Sequence, residues 1–223
     1  MMTLASKCGI EVPEIRLVHR DELQDLPDGV WGENEHIAYA IRRFDRTEER
    51  TAIHIEDLAQ VRGFYPDDKY KGTFETIAAL LYRGRDSASL LEFVRRFAFN
   101  LLIKNGDAHL KNWSLIYRNP RVPTLAPAYD LVATACYRPR EAPETTGLKF
   151  CGVKRFEQIT PACFTRLQEK LGVTVSLKEE VEQLVERVLV AWPAVKDLFR
   201  DETKMAATIE ESIHQGAKRL RVG

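Results

Sequence analysis

The sequence predicts an α+β fold that is mostly α: a small β-containing front followed by a larger helical body. Three observations predict it. Apolar alternation occurs twice near the N-terminus, as a pair of strands requires. From Glu56 the apolar period becomes helical and stays so for most of the remaining chain. A dense polar run, Asn105-Gly106-Asp107-Ala108-His109-Leu110-Lys111-Asn112, interrupts that pattern directly after the most apolar helix.

The elements follow in order. Met1 to Cys8 reads as the last turns of an amphipathic helix, with Leu4 and Cys8 at helical spacing and Gly9 as its stop. It has no start signal, so the chain is expected to begin inside an element. Glu14 to His19 is a strand with Ile15 and Leu17 expected inward. Pro27-Asp28-Gly29 is a turn signal. His36 to Phe44 is a second strand, expected antiparallel to the first. A helical stripe runs from Glu56 through Leu58 and Val61, then Ile77, Leu80 and Leu81. Asp86-Ser87 caps a long core helix carrying Leu90, Leu91, Phe93, Val94, Phe97, Leu101 and Leu102; Phe97 and Phe99 are expected in the core. Trp113 to Tyr117 and Thr124 to Ala126 form a hairpin around Asn119-Pro120. Residues 138–147, with Pro139, Pro143 and Gly147, read as an exposed loop. Pro161 to Leu171, Leu177 to Phe199 and Glu202 to Leu220 read as helices, with Pro193 kinking or ending the second.

Composition bounds the function. The 223 residues hold 44% apolar and 30% charged side chains, an ordinary globular balance, with 33 acids against 33 Lys and Arg. No global positive field exists to hold nucleic acid. The basic tail Lys218-Arg219-Leu220-Arg221 and Arg200 most simply complement helix ends. Cys8, Cys136, Cys151 and Cys163 form no C-x-x-C pair, which fits a reducing cytoplasm. No segment has the apolar length of a membrane span. The five histidines are dispersed, against a His-rich metal site.

The polar run carries the chemistry. Asp107 and Asn112 stand at the D-x-x-x-x-N spacing of a kinase catalytic loop, and a second acid follows at Asp130. Phosphoryl transfer needs a carboxylate to orient the attacking hydroxyl, and Asp107 is the candidate. Mg²⁺ takes hard oxygen donors, and Asn112 and Asp130 offer them. Lys111 can neutralise a phosphate, and His109 can hold the loop by hydrogen bonds. Alone, an Asn-Gly-Asp run after a helix is commonly a capped turn; the hairpin that folds Asp130 back over it tips the balance toward a site. Gly147 to Lys154 has P-loop glycine spacing, but Val153 sits where the lysine belongs, so it reads as strand and turn.

The order of elements is that of a protein-kinase-like, two-lobed fold: a partial N-lobe β pair with hinge over residues 1–46, and a helical C-lobe with the catalytic loop over 47–223. The motifs also resemble one family, the HipA toxin kinases. Asn105 to Ser114 resembles its N-x-D-x-H-x-K-N-x-S signature, Leu125 to Leu131 its L-x-P-x-Y-D-L segment, and Ile41 to Arg46 its R-F-D-R run. Glu56 to Gln60 followed by Lys69-Tyr70 resembles the segment after the hinge. The resemblance implies ATP and Mg²⁺ as cofactors. It implies Asp107, His109 and Lys111 as the catalytic group, Asn112 and Asp130 as metal ligands, and Phe44 near the adenine with Arg43 and Asp45 beside it. It further implies transfer to a serine or threonine of a protein, possibly an aminoacyl-tRNA synthetase. The implied partner is a HipB-like antitoxin, with DNA contacted only through it. The sequence departs from the family at Arg42, where an acid is common. It also has no G-x-G-x-x-G run and no V-A-I-K-like strand. The expectation is an N-terminally truncated kinase, slow by itself, with the front lobe absent or supplied by a separate polypeptide. The alternative is a non-catalytic lobe that docks an antitoxin or substrate.

Overall fold

The computed structural model describes residues 1–23, 26–27, 29–32, 35–138, 144–200 and 202–221. Asp28 of the Pro27–Gly29 turn and Pro139 and Pro143 of the anticipated loop lie outside them.

Helix α1 (Met2–Lys7) ends at Gly9, whose φ of 78° is the left-handed conformation that glycine adopts without a Cβ clash. Strands β1 (Ile15–His19) and β2 (Ile37–Ile41) form an antiparallel pair that aligns Ile15 with Ile41 and Leu17 with Tyr39. The inward face differs from the alternation's first reading. Leu17 is 69% exposed and Val18 only 2%. Both faces of β1 carry apolar residues, so packing against the rest of the molecule decides the face, and local alternation cannot.

Glu56 belongs to a strand and not to a helix start. β3 (Ile55–Asp57) pairs with β4 (Ser114–Asn119), which pairs with β5 (Val122–Leu125). The helix α2 (Leu58–Val61) begins only after Asp57, whose carboxylate accepts from Gln60 N at 2.9 Å while Gln60 Oε1 accepts from Asp57 N. α3 (Phe74–Tyr82) and α4 (Ser87–Leu102) follow, the latter capped by Asp86, which accepts from Ser89 N at 2.9 Å.

In the anticipated loop at 138–147, the described residues 145–147 are strand. Glu144 is buried, and β6 (Thr145–Phe150) hairpins onto β7 (Val153–Arg155). This is the strand and turn expected in place of a P-loop. Helices α5 (Pro161–Leu171), α6 (Leu177–Lys196) and α7 (Thr203–Arg221) complete the body. α6 runs one turn past Pro193 before a short 3₁₀ turn to Phe199.

α4 is the centre of the core. Leu90, Phe93, Val94, Phe97, Leu101 and Leu102 are fully buried, between α3, α6 and α7. Phe97 meets Phe74 at 4.1 Å and Phe150 at 4.8 Å between ring centroids, and Phe93 meets Trp113 at 5.0 Å. This aromatic cluster fixes the two segments that flank the polar run, β6 and Trp113. The side chains of Met2, Leu4, Ala5 and Cys8 join the same core, so α1 is anchored to the helical body.

Candidate active site

The polar run leaves α4 at Leu102 and is held by buried groups. Asn105 is 4% exposed. Its Nδ2 donates to Asn100 Oδ1 at 2.9 Å and to Asp130 O at 3.4 Å, and its Oδ1 accepts from Asp107 N at 3.1 Å. Gly106 N donates to Thr134 Oγ1 at 2.7 Å, and Thr134 also donates to Glu144. A Cβ on Gly106 would lie 2.6 Å from Thr145 O and against the Glu144 carboxylate, so glycine is required there. These bonds turn the backbone so that Asp107 faces solvent while Ala108, His109 and Leu110 turn inward.

His109 is buried. Its backbone N–H donates to Asn112 Oδ1 at 2.9 Å, and its Nδ1 has no partner. Burial, and then the Lys69 ammonium, push the imidazole below its ordinary range. It is therefore neutral at physiological pH, suited to holding the loop rather than relaying charge. Lys111 contributes its carbonyl, which accepts from Tyr129 OH at 2.8 Å; that same hydroxyl meets Ser114 Oγ at 2.5 Å. Burial pushes the Tyr129 phenol up to about 12, so it stays a donor.

Asp130 follows Tyr129 with φ of 57°, a left-handed conformation that aspartate tolerates better than most residues. It brings the carboxylate back over the loop, where Asn112 Nδ2 donates to Asp130 Oδ2 at 2.5 Å. Two groups 18 residues apart in sequence thus meet at the surface, the Asn112 amide nitrogen on an Asp130 oxygen.

The approach to Asp130 is fixed by ion pairs inside the protein. Arg96 donates to Glu92 at 2.7 Å and to Ala126 O at 2.6 Å. Glu92 also accepts from Glu11 N, and Glu11 O accepts from Ala128 N. Glu92, Arg96 and Asn100 recur every four residues on the mostly apolar α4. That polar stripe is the signal sequence reasoning could have used and missed, along with Glu144 and Thr134, for which no local signal exists.

The hinge residues fall close by. Phe44 stacks on Tyr129 at 5.9 Å. Arg43 grips Asp45 through two bonds of 2.9 and 2.6 Å, and Arg46 adds another at 2.7 Å. The charged ends of Arg43 and Asp45 are thus turned on each other. Beside Asp130 an open cleft of roughly 590 Å³ is walled by Met2, Thr3, Ile15, Tyr39 and Ile41.

The donor set suits Mg²⁺, which takes few protein oxygens and completes its shell with phosphates and water. Asn112 Oδ1 has a second lone pair beyond the one that His109 N–H uses. Among the described residues no three of His, Cys, Asp and Glu gather as a tighter metal site would need.

Comparison with known proteins shows the family and the fold. The family model of the HipA-like C-terminal domain matches residues 1–194. This chain belongs to the HipA-like C-terminal domain family. Within it, the chain is 43% identical over 212 residues to the proposed kinase Y4dM of Sinorhizobium fredii, covering 94% of this chain and 51% of that protein. It is 29% identical over 157 residues to the serine/threonine-protein kinase toxin HipA of Shewanella oneidensis, covering 61% of this chain and 33% of that one. The HipA-like chain thus spans about half, or less, of the length of these curated relatives. Among solved structures it resembles Shewanella oneidensis HipA, determined with HipB and operator DNA. The TM-score is 0.76 at 23% identity, covering 98% of this chain and 53% of that one. It also resembles the Helicobacter pylori proinflammatory kinase CtkA, with a TM-score of 0.51 at 14% identity, covering 98% and 84%. The fold is the kinase-like α+β fold. Among the described residues no helix is long and apolar enough to cross a membrane.

Proposed function

We propose that this chain carries the acceptor and metal half of a serine/threonine protein kinase site and acts in a toxin–antitoxin pair. The observation that carries this reading is the meeting of Asn112 and Asp130 at 2.5 Å beside the loop that exposes Asp107. Asp107 orients the attacking hydroxyl and takes its proton. Asn112 and Asp130 hold Mg²⁺, which when bound neutralises charge on the phosphates of ATP. His109 keeps the loop closed from within, and Lys111 faces a phosphate as a point charge. The cleft beside Asp130 receives the nucleotide, with Phe44, Arg43 and Asp45 at its hinge. Residues 1–46 serve as lobe and hinge and 47–223 as the helical lobe.

The Shewanella HipA complex with HipB and operator DNA supports a HipB-like antitoxin as the partner of this chain; DNA is contacted only indirectly in this reading. The protein acceptor is a serine or threonine side chain, with an aminoacyl-tRNA synthetase as one candidate, and the setting is the cytoplasm. One observation favours a second reading, a non-catalytic lobe that docks an antitoxin or substrate. The 223 residues contain no G-x-G-x-x-G run and no V-A-I-K-like segment.

Transfer of label from γ-labelled Mg-ATP to casein separates the two, measured with this chain and again with the front half of a HipA-family relative added. The kinase reading predicts transfer that rises with the added half and falls ~10²–10⁴-fold in Asp107→Asn. Absence of transfer in both arms, with retained binding to a HipB-type antitoxin, supports the docking reading instead.

A further inference from the structure

We infer that Tyr70 is the positioning residue for Asp107, holding one carboxylate oxygen and leaving the other for the acceptor hydroxyl; this rests on the phosphoryl-transfer reading above. Tyr70 lies outside the polar run, 37 residues before Asp107, yet its hydroxyl donates to Asp107 Oδ1. Asp107 Oδ2 has no side-chain or backbone partner among the described residues.

Three further contacts fix the tyrosine. Its ring meets the His109 imidazole edge-on at 5.1 Å. The Lys69 ammonium sits 5.0 Å from the ring centroid, a cation on the π face. The neighbouring carbonyl, Lys69 O, accepts from Leu110 N at 3.1 Å, which ties the 69–70 segment to the loop's backbone. Residues 69–70 therefore grip the loop at Asp107, His109 and Leu110 at once.

The chemistry of the contact suits a positioning role. A carboxylate on a surface turn rotates freely about its two side-chain torsions. A fixed phenol on one oxygen removes that freedom and aims the remaining lone pairs. The phenol must stay protonated to do this. Burial first, and then the hydrogen bond to Asp107, push it up to about 12, so it is a donor throughout the working range. Tyr70 donates the bond and takes no part in the proton transfer, which runs from acceptor to Asp107 Oδ2.

Tyr70→Phe is the direct variant, since it keeps the ring against His109 and Lys69 and removes only the hydroxyl. Two readouts apply. The side-chain ¹³C resonance of Asp107, identified by its loss in Asp107→Asn, should move in Tyr70→Phe. With Mg-ATP and casein, kcat should fall about tenfold while the KM for ATP stays within a factor of two, because orientation of a general base is a rate effect. An unmoved Asp107 resonance overturns the inference. So does an unchanged kcat, or a rise in KM alone. Should Tyr70→Phe not fold, the Tyr70 Cζ resonance in Asp107→Asn decides: a shift upholds the contact, and no shift overturns it. If the wild-type chain transfers nothing under any arm while the Asp107 resonance moves, the contact stands and the transfer reading fails.

Discussion

Asp107 owes its exposure to its neighbours rather than to itself. The backbone on either side is drawn inward by Asn105, Gly106 and the His109–Asn112 bond, so the one unburied carboxylate of the run projects outward. Gly106 is the tightest point. Thr145 O is backbone and cannot give way to a methyl group 2.6 Å off, and the Glu144 carboxylate is closer still. Gly106→Ala should therefore cost about 1–3 kcal/mol, the usual range for overpacking, and should displace the loop. Urea unfolding measures the first effect and label transfer the second; an alanine variant as stable as wild type would contradict this account of the turn. Asp107, Asn112 and Asp130 are legible in the sequence because their chemistry is carried by residue type and spacing. Tyr70 as an Asp107 partner and Glu144 as a wall for Gly106 are not, because each contact spans 37 or more residues and neither leaves a local pattern.

At the level of elements, α4 does two jobs. Its apolar faces build the core, and its Glu92–Arg96–Asn100 stripe locks the segment that ends in Asp130. Arg96→Leu would leave Glu92 with Arg95 as its remaining arginine and free the buried Ala126 carbonyl. A loss of about 1–3 kcal/mol in chemical denaturation is expected, the range for a buried group left without its hydrogen bond. The hinge carries a second ion cluster. The Arg43 hydrogen bond, aided by the charges of Arg43 and Arg46, holds the Asp45 carboxyl below its ordinary 3.8. A carboxylate with a lowered folded-state pKa stabilises above that ordinary value, and its contribution fades as pH falls through the folded value. Asp45→Asn should thus melt below wild type at pH 7, and the gap should begin to narrow below about pH 4 and close only below the lowered folded-state value. A gap that persists unchanged into acid would show that the Asp45 charge is not what matters. The bounds of α5 are legible because Pro161 and Gly172 mark its two ends. The face of β1 is not, since apolar residues lie on both sides of that strand.

Across the whole molecule, the β1–β2 pair presents an exposed apolar face. Leu17, Ile37 and Tyr39 are each more than half exposed and lie side by side in the antiparallel register. The fold class is legible in the sequence because periodicity, caps and turns are local properties. Two things were beyond it: the assignment of Glu56 to a three-stranded sheet with β4 and β5, and the anchoring of α1 in the helical core. Both depend on contacts between distant segments. The site is assembled in the same way, from a loop after α4, a residue after β5 and a tyrosine before α3. In the proposed reading, Asn112 and Asp130 together receive a magnesium-bound nucleotide. The most direct test is calorimetric titration of Mg-ATP into the wild-type chain and Asp130→Ala, with ATP plus EDTA as the control. The account predicts metal-dependent binding that weakens at least tenfold in the variant, about 1.4 kcal/mol. Equal affinity in wild type and Asp130→Ala would contradict it.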